Sequence, residues 1–203
     1  MQLFSSSWAP NGRRVTMYLA EKGIDVPTID VDLPNRANLS DDFKRRNPLA
    51  RIPVLELDDG THLAESVAIC RYFEALKPEP SLFGVSAFDQ ANIEMWHRRA
   101  ELNVLMPVAM AFRNLTEYFK DLEPVVPEWG VVAEGQARDV LPIFDAQLAR
   151  SRYLAGDVFS IADITLAVTL SFAKSTERRL PYDLPHLARW YAEVKARPSY
   201  PRK

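Results

Sequence analysis

The chain has 203 residues, 47% of them hydrophobic and 26% charged, which suits one large folded domain or two small ones. Its formal net charge is -2 with the charges mixed along the chain, so nothing in it offers a nucleic acid or an anionic membrane an electrostatic footprint. No apolar run reaches the roughly 18 residues that span a bilayer, and one cysteine, Cys70, excludes an internal disulfide, a CxxC redox pair and a cysteine-rich zinc site.

In chain order, Leu3-Phe4-Ser5 reads as a short strand, and Pro10 suits the first turn of a helix that carries Val15, Met17, Tyr18 and Leu19 to a stop at Gly23. A second strand is expected over 26–31 and a short charged helix over 39–46. Ile52-Pro53-Val54-Leu55 is an apolar run entered by a proline, which is tolerated where a strand begins and its missing N–H harms no ladder. Asp58-Asp59-Gly60 makes a hairpin turn into a fourth strand, Thr61-His62-Leu63, and a helix follows from Glu65 to about Leu76. The order β-α-β-α-β-β-α points to a thioredoxin-like domain over 1–77, with other α/β layouts competing on spacing alone. A proline-rich stretch, 78–88, is expected to be a linker.

The rest, 89–203, reads as a helical bundle. A helical pattern over 87–121 is too long for one straight helix and is expected to bend near Pro107. Another covers about 129–151 despite Pro142, and a last helix covers about 185–196. Ser160-Ile161-Ala162-Asp163 has the spacing of a capping box. Cys70 lies among Val67, Ile69, Tyr72 and Phe73, where a buried inert thiol is expected, and His62, His97 and His186 have no metal-ligand spacing.

The stretch 47–66 carries the chemistry. If the bond before Pro53 is cis, the Ile52 backbone turns outward with free N–H and C=O groups, able to pair with an extended small peptide as an added strand would. Glu65-Ser66 opens a helix whose free N–H groups attract a carboxylate while the Glu65 side chain can accept from an ammonium.

This order of Asn47-Pro48, Ile52-Pro53-Val54-Leu55, a hairpin and Glu65-Ser66 resembles the glutathione-binding half of the cytosolic glutathione transferases. The capping box, with Leu154-Ala155-Gly156-Asp157 before it, resembles an element of that family's helical domain. The resemblance implies a two-domain homodimer that uses glutathione as co-substrate and conjugates its thiolate to small hydrophobic electrophiles in detoxification. Glutathione-dependent peroxide or disulfide reduction is possible on the same scaffold. The absence of a charged, apolar leader after Met1-Gln2 points to the cytoplasm.

The resemblance also implies residue roles. Ile52 with Pro53 would pair with the cysteinyl unit, Glu65 and Ser66 would hold the γ-glutamyl group, and Arg51 would meet the glycyl carboxylate, with Asn38 a weaker candidate. Many serine-type members carry the activating serine immediately before the proline of the first helix, where this chain has Ala9. Asn11, which resembles the asparagine of some bacterial members, is favoured as donor to the sulfur over Ser7, Ser6 or Ser5, which makes the chain serine/asparagine-type rather than tyrosine-type. Asn11 could equally be a helix-start residue bonding its own backbone. Trp8, Met106, Met110 and Arg113 would line the electrophile pocket. The competing reading is a non-catalytic member of the same fold, a stress regulator or protein-interaction module, which the loss of serine at Ala9 favours and the retained cradle opposes.

Overall fold

The computed structural model describes residues 1–178, 180, 181 and 183–200. Expectations for positions 179, 182 and 201–203, at the end of the 89–203 domain, lie outside the described residues. The chain divides into two compact units, one spanning Met1–Ser81 with the described residues 198–200, the other Leu82–Arg197.

The first unit is a four-stranded mixed sheet with helices. Its elements are β1 (Gln2–Ser5), α1 (Pro10–Lys22), β2 (Thr28–Asp30), α2 (Asp41–Arg46), β3 (Val54–Glu56), β4 (His62–Ala64) and α3 (Ser66–Leu76), with strand order β2-β1-β3-β4. β1 is parallel to β2 and antiparallel to β3, and β3 is antiparallel to β4. Alternation along β1 divides the core. Phe4 opposes Val54 and packs with Val31, Leu33 and Phe43, whereas Leu3 opposes Leu55 on the other face and both are fully buried. α1 ends as its sequence dictates, at a left-handed Gly23 whose N–H returns to the last turn.

Two boundaries differ from expectation for local reasons. β2 is shorter than 26–31, because Pro27 has no N–H to give the ladder and the chain then enters a turn in which Asn35 N–H donates to Asp32 Oδ1 at 3.1 Å. The charged helix divides into a 3-10 turn, Ala37–Leu39, and α2, because Ser40 caps the latter by accepting from Phe43 N at 3.2 Å.

A buried cluster closes the far end of this unit. Lys22, with a fully buried side chain, pairs with Glu74 at 2.8 Å and donates to the carbonyls of Pro78 and Pro80 at 2.9 and 2.6 Å. Tyr18 donates to the same Glu74 at 2.5 Å, and burial first and that bond second hold its phenol far above the usual tyrosine range.

The second unit is helical: α4 (Ala87–Ala100), α5 (Met106–Leu115), α6 (Pro127–Leu148), α7 (Ile161–Ser175) and α8 (Pro185–Lys195). The long pattern breaks before Pro107 rather than at it. A π-helical segment, Glu101–Leu105, joins α4 to α5, and Pro107 falls in the first turn of α5. Proline cannot donate to the carbonyl four residues back, so the wider turn before it absorbs the misfit. α7 is buried on every side, with Ile161, Ala162, Ile164, Leu166, Ala167 and Val168 all fully buried, as befits a central helix.

The capping box at its start forms. Asp163 is itself buried, and it accepts from Leu154 N at 3.0 Å, Ser160 N and Oγ at 3.1 Å each, and Trp190 Nε1 at 2.8 Å. It therefore ties the preceding loop, the helix start and α8 to one carboxylate.

Candidate active site

The bond between Ile52 and Pro53 is cis. Ile52 lies beyond both ladders, whose last paired residue is Val54, opposite Phe4 and Ala64. Among the described residues no hydrogen bond engages its N–H and C=O. Its side chain packs against the Phe4–Phe43 cluster, so the backbone edge is what faces outward.

Two asparagines hold the loop that leads there. Buried Asn47 donates through Nδ2 to the Arg51 carbonyl at 2.7 Å and accepts from Leu49 N at 3.1 Å. Asn38 donates to the carbonyl of Ala50 at 2.8 Å, where φ is +53°. The Asn38 amide is thus used within the chain, and Arg51 itself is exposed with its side chain at the surface.

Beside this edge, Glu65 is exposed at φ +67°, a conformation that L residues reach only under strain, directly before buried Ser66 at the start of α3. Backbone strain of this kind persists where the surroundings demand it, and here it sets Glu65 at the mouth while Ser66 turns inward. α3 has no acidic residue in its first turn and no side-chain cap, so its leading N–H groups stay open to an anion.

α1 presents a second open start. Ala9 caps it without a side-chain bond, Pro10 has no N–H, and the first turn holds no acidic residue. The N–H groups of Asn11 and Gly12 precede the first intrahelical bond, which is Arg13 N to Ala9 O at 3.0 Å. Ser66 Oγ–H donates to Asn11 Oδ1 at 3.5 Å, which leaves the Asn11 amide N–H2 as the donating face. Behind them buried Arg14 donates from Nη1 to Ser66 Oγ at 2.8 Å. So Asn11, Ser66 and Arg14 form one chain of contacts between two helix starts.

The remaining expected residues scatter. Ser7 is exposed in the loop before α1, and Trp8 next to it is 41% exposed. Met106 and Met110 lie on α5, Met106 being 46% exposed. Arg113 is committed to Glu123, donating from Nε at 2.6 Å with Nη2 on the second carboxylate oxygen, and its guanidinium lies over the Phe119 ring at 4.2 Å. A groove of about 460 Å³ lined by Trp96, Arg99, Ile143 and Arg150 belongs wholly to the second unit and contains none of the expected residues. Cys70 is fully buried, and burial pushes its thiol up to about 12, so it offers no thiolate. Sequence reasoning missed Arg14 and Asn47. A cation at helical spacing among Val15, Met17 and Tyr18 was the available signal for the first, and the Asn-Pro pair for the second.

Residues 8–76 match the glutathione S-transferase N-terminal domain and residues 131–198 the glutathione S-transferase C-terminal domain. Glutathione S-transferase 2 of Saccharomyces cerevisiae is 35% identical over 98% of this chain and 87% of its own length. The chain belongs to the glutathione S-transferase family. Glutathione S-transferase 3 of Zea mays is 32% identical over 98% of the chain and 91% of its own length. Among solved structures, a glutathione S-transferase domain-containing protein of Marinobacter aquaeolei superposes with a TM-score of 0.94 at 38% identity, covering 99% of this chain and all of that one. Gtt2 of Saccharomyces cerevisiae gives 0.93 at 34% identity over 98% of each chain. This glutathione S-transferase therefore matches its relatives through both units, as a thioredoxin-like N-terminal domain and a helical C-terminal domain. Among its described residues no helix is long and apolar enough to cross a membrane.

Proposed function

We propose that this glutathione S-transferase binds glutathione along the Ile52 edge and the start of α3, and directs its thiolate at small apolar electrophiles. The observation that carries the reading is the unpaired Ile52 backbone before a cis proline, beside Glu65 and Ser66 and within one unit. Ile52 would pair with the cysteinyl N–H and C=O, as an added strand pairs. Glu65 would accept from the γ-glutamyl ammonium, and Ser66 with the leading N–H groups of α3 would hold its carboxylate. Arg51 is free at the surface to meet the glycyl carboxylate.

Activation of sulfur falls to α1. A free thiol of this kind titrates near 8.5, and each unit of depression corresponds to about 1.4 kcal/mol of preference for thiolate. Asn11 N–H2 and the Asn11 and Gly12 N–H groups together supply donors and the positive helix end. This makes the enzyme serine/asparagine-type: Ala9 has no donor, and the one tyrosine on α1, Tyr18, is turned inward to Glu74. Trp8, Met106 and Met110 are our candidates for the electrophile side, with Arg113 contributing through its stem because its charge is held by Glu123. The enzyme is further read as a cytoplasmic homodimer, the state the family resemblance implies, and as divided by a linker over 78–88.

Ultraviolet thiolate absorbance of bound glutathione, titrated against pH, tests this. The wild type should show a thiol pKa well below the free value, and Asn11→Ala should raise it by about one unit, as loss of one hydrogen bond to a charged group requires. An unshifted thiol in the wild type would leave a glutathione-binding protein without transferase chemistry.

A further inference from the structure

Arg14 is a large cation placed where cations are rarely found, 1% exposed inside the first unit. It stands one turn after Asn11 on the same face of α1, and its Nη1–H donates to Ser66 Oγ at 2.8 Å. A serine hydroxyl has one hydrogen to give. With a lone pair taken by Arg14, that hydrogen must point away from the guanidinium, and it rests on Asn11 Oδ1 at 3.5 Å, a long and weak bond. A carboxylate at the start of α3 would offer it a far better acceptor.

We infer that Arg14 is a positioning residue that sets the Ser66 hydroxyl as donor to the α-carboxylate of the γ-glutamyl group, and that its buried charge strengthens that contact. The inference rests on the glutathione-binding reading above. Two effects act in the same direction. The Arg14 bond removes the competing rotor positions of the hydroxyl before the ligand arrives, and a positive charge within the low-dielectric core polarises Ser66 toward an incoming anion. When the carboxylate takes the Ser66 hydrogen, Asn11 Oδ1 loses its weak donor, so the contact that sets the face of the Asn11 amide changes as the ligand is recognised. Arg14 thereby links recognition at one end of the tripeptide to the donor at its thiol.

The test compares glutathione with 4-aminobutyryl-cysteinylglycine, which lacks only the α-carboxylate. Calorimetric titration gives the ratio of the two dissociation constants for wild type, Arg14→Gln and Ser66→Ala. Wild type should favour glutathione by about tenfold or more, the range a charge-assisted bond supplies. Arg14→Gln should lower that ratio about threefold or more, toward the value that the α3 N–H groups alone sustain, while leaving the analogue's own affinity unchanged, and adding Ser66→Ala should lower it no further. Equal loss for both ligands would mean that Arg14 only supports the fold, and would overturn the inference. If Arg14→Gln does not fold, Arg14→Lys serves, since the shorter side chain keeps the charge and loses the bond: the ratio should fall about threefold or more, and an unchanged ratio would overturn the inference. No binding of glutathione to the wild type would instead sink the function proposed above, a separate outcome.

Discussion

At the scale of single residues, the site depends on how closely α1 approaches β1. Gly12 sits where any side chain would collide: a Cβ there would lie 2.5 Å from Ser5 Oγ and 2.6 Å from the Ser6 carbonyl. Because one of those neighbours is backbone, a rotamer change cannot relieve the clash, and the start of the helix must move. Gly12→Ala should cost about 1–3 kcal/mol in urea unfolding, and should weaken glutathione binding by displacing the Asn11 and Gly12 N–H groups together. Full stability in that variant would show that the loop over residues 6–9 yields freely. Such closeness is not written in sequence, where Gly12 looks like any helix-start glycine. What could be read was chemical type and order: the proline at position 53, the Glu65-Ser66 pair and the missing hydroxyl at Ala9 all stand out in the string. Partnership could not be read, which is why Arg113 and Asn38 looked available and are instead held by Glu123 and the Ala50 carbonyl.

At the scale of elements, the capping box shows how far local pattern reaches. Ser160 and Asp163 announced a helix start by spacing alone, and α7 begins there. The same pattern gave no sign that Asp163 would also accept from Trp190 on α8, 27 residues away, or that it would be wholly buried. Burial pushes its carboxyl up to about 6 from an ordinary 3.8, against the lowering effect of its four donors. A folded pKa above the unfolded one means that the native state takes up the proton more readily, so Asp163 adds stability that is fully present below about pH 4 and lost as pH rises through 6. Asparagine at this site cannot titrate. Between pH 7 and pH 4 the wild type should therefore gain on the order of 2–3 kcal/mol relative to Asp163→Asn, the other carboxylates cancelling in the comparison. Chemical denaturation of both proteins across that range measures the difference. A gap independent of pH would mean that the donors hold Asp163 ionised and dominate the cost of burial. The π turn before Pro107 illustrates the same boundary of legibility: a proline signals a break, but which turn absorbs it depends on the packing of α4 and α5.

At the scale of the whole molecule, the residues proposed to hold glutathione all belong to the unit that spans Met1–Ser81, although they come from α1, the loop before β3 and the start of α3. None of these segments forms a cradle alone, and in the unfolded chain they are tens of residues apart. Ligand binding must then stabilise the native state over the unfolded one by mass action, by about 2.7 kcal/mol at a hundredfold excess over the dissociation constant. The gain should appear as a rise in thermal midpoint on adding glutathione, and at the same glutathione concentration it should shrink by about half in Ser66→Ala, because tenfold weaker binding removes about 1.4 kcal/mol of it. Where the protection falls is the sharper readout. Native-state hydrogen exchange with bound glutathione should slow the amides of residues 11, 12, 52 and 66–68 most, because Ile52 N–H and the leading N–H groups of both helices become bonded only when the ligand is present. Protection confined to α4 through α8 would place the tripeptide elsewhere and remove the Ile52 edge from the mechanism. Equal protection throughout would mean that the units open together, so that the cradle shares its stability with the helical domain rather than possessing its own.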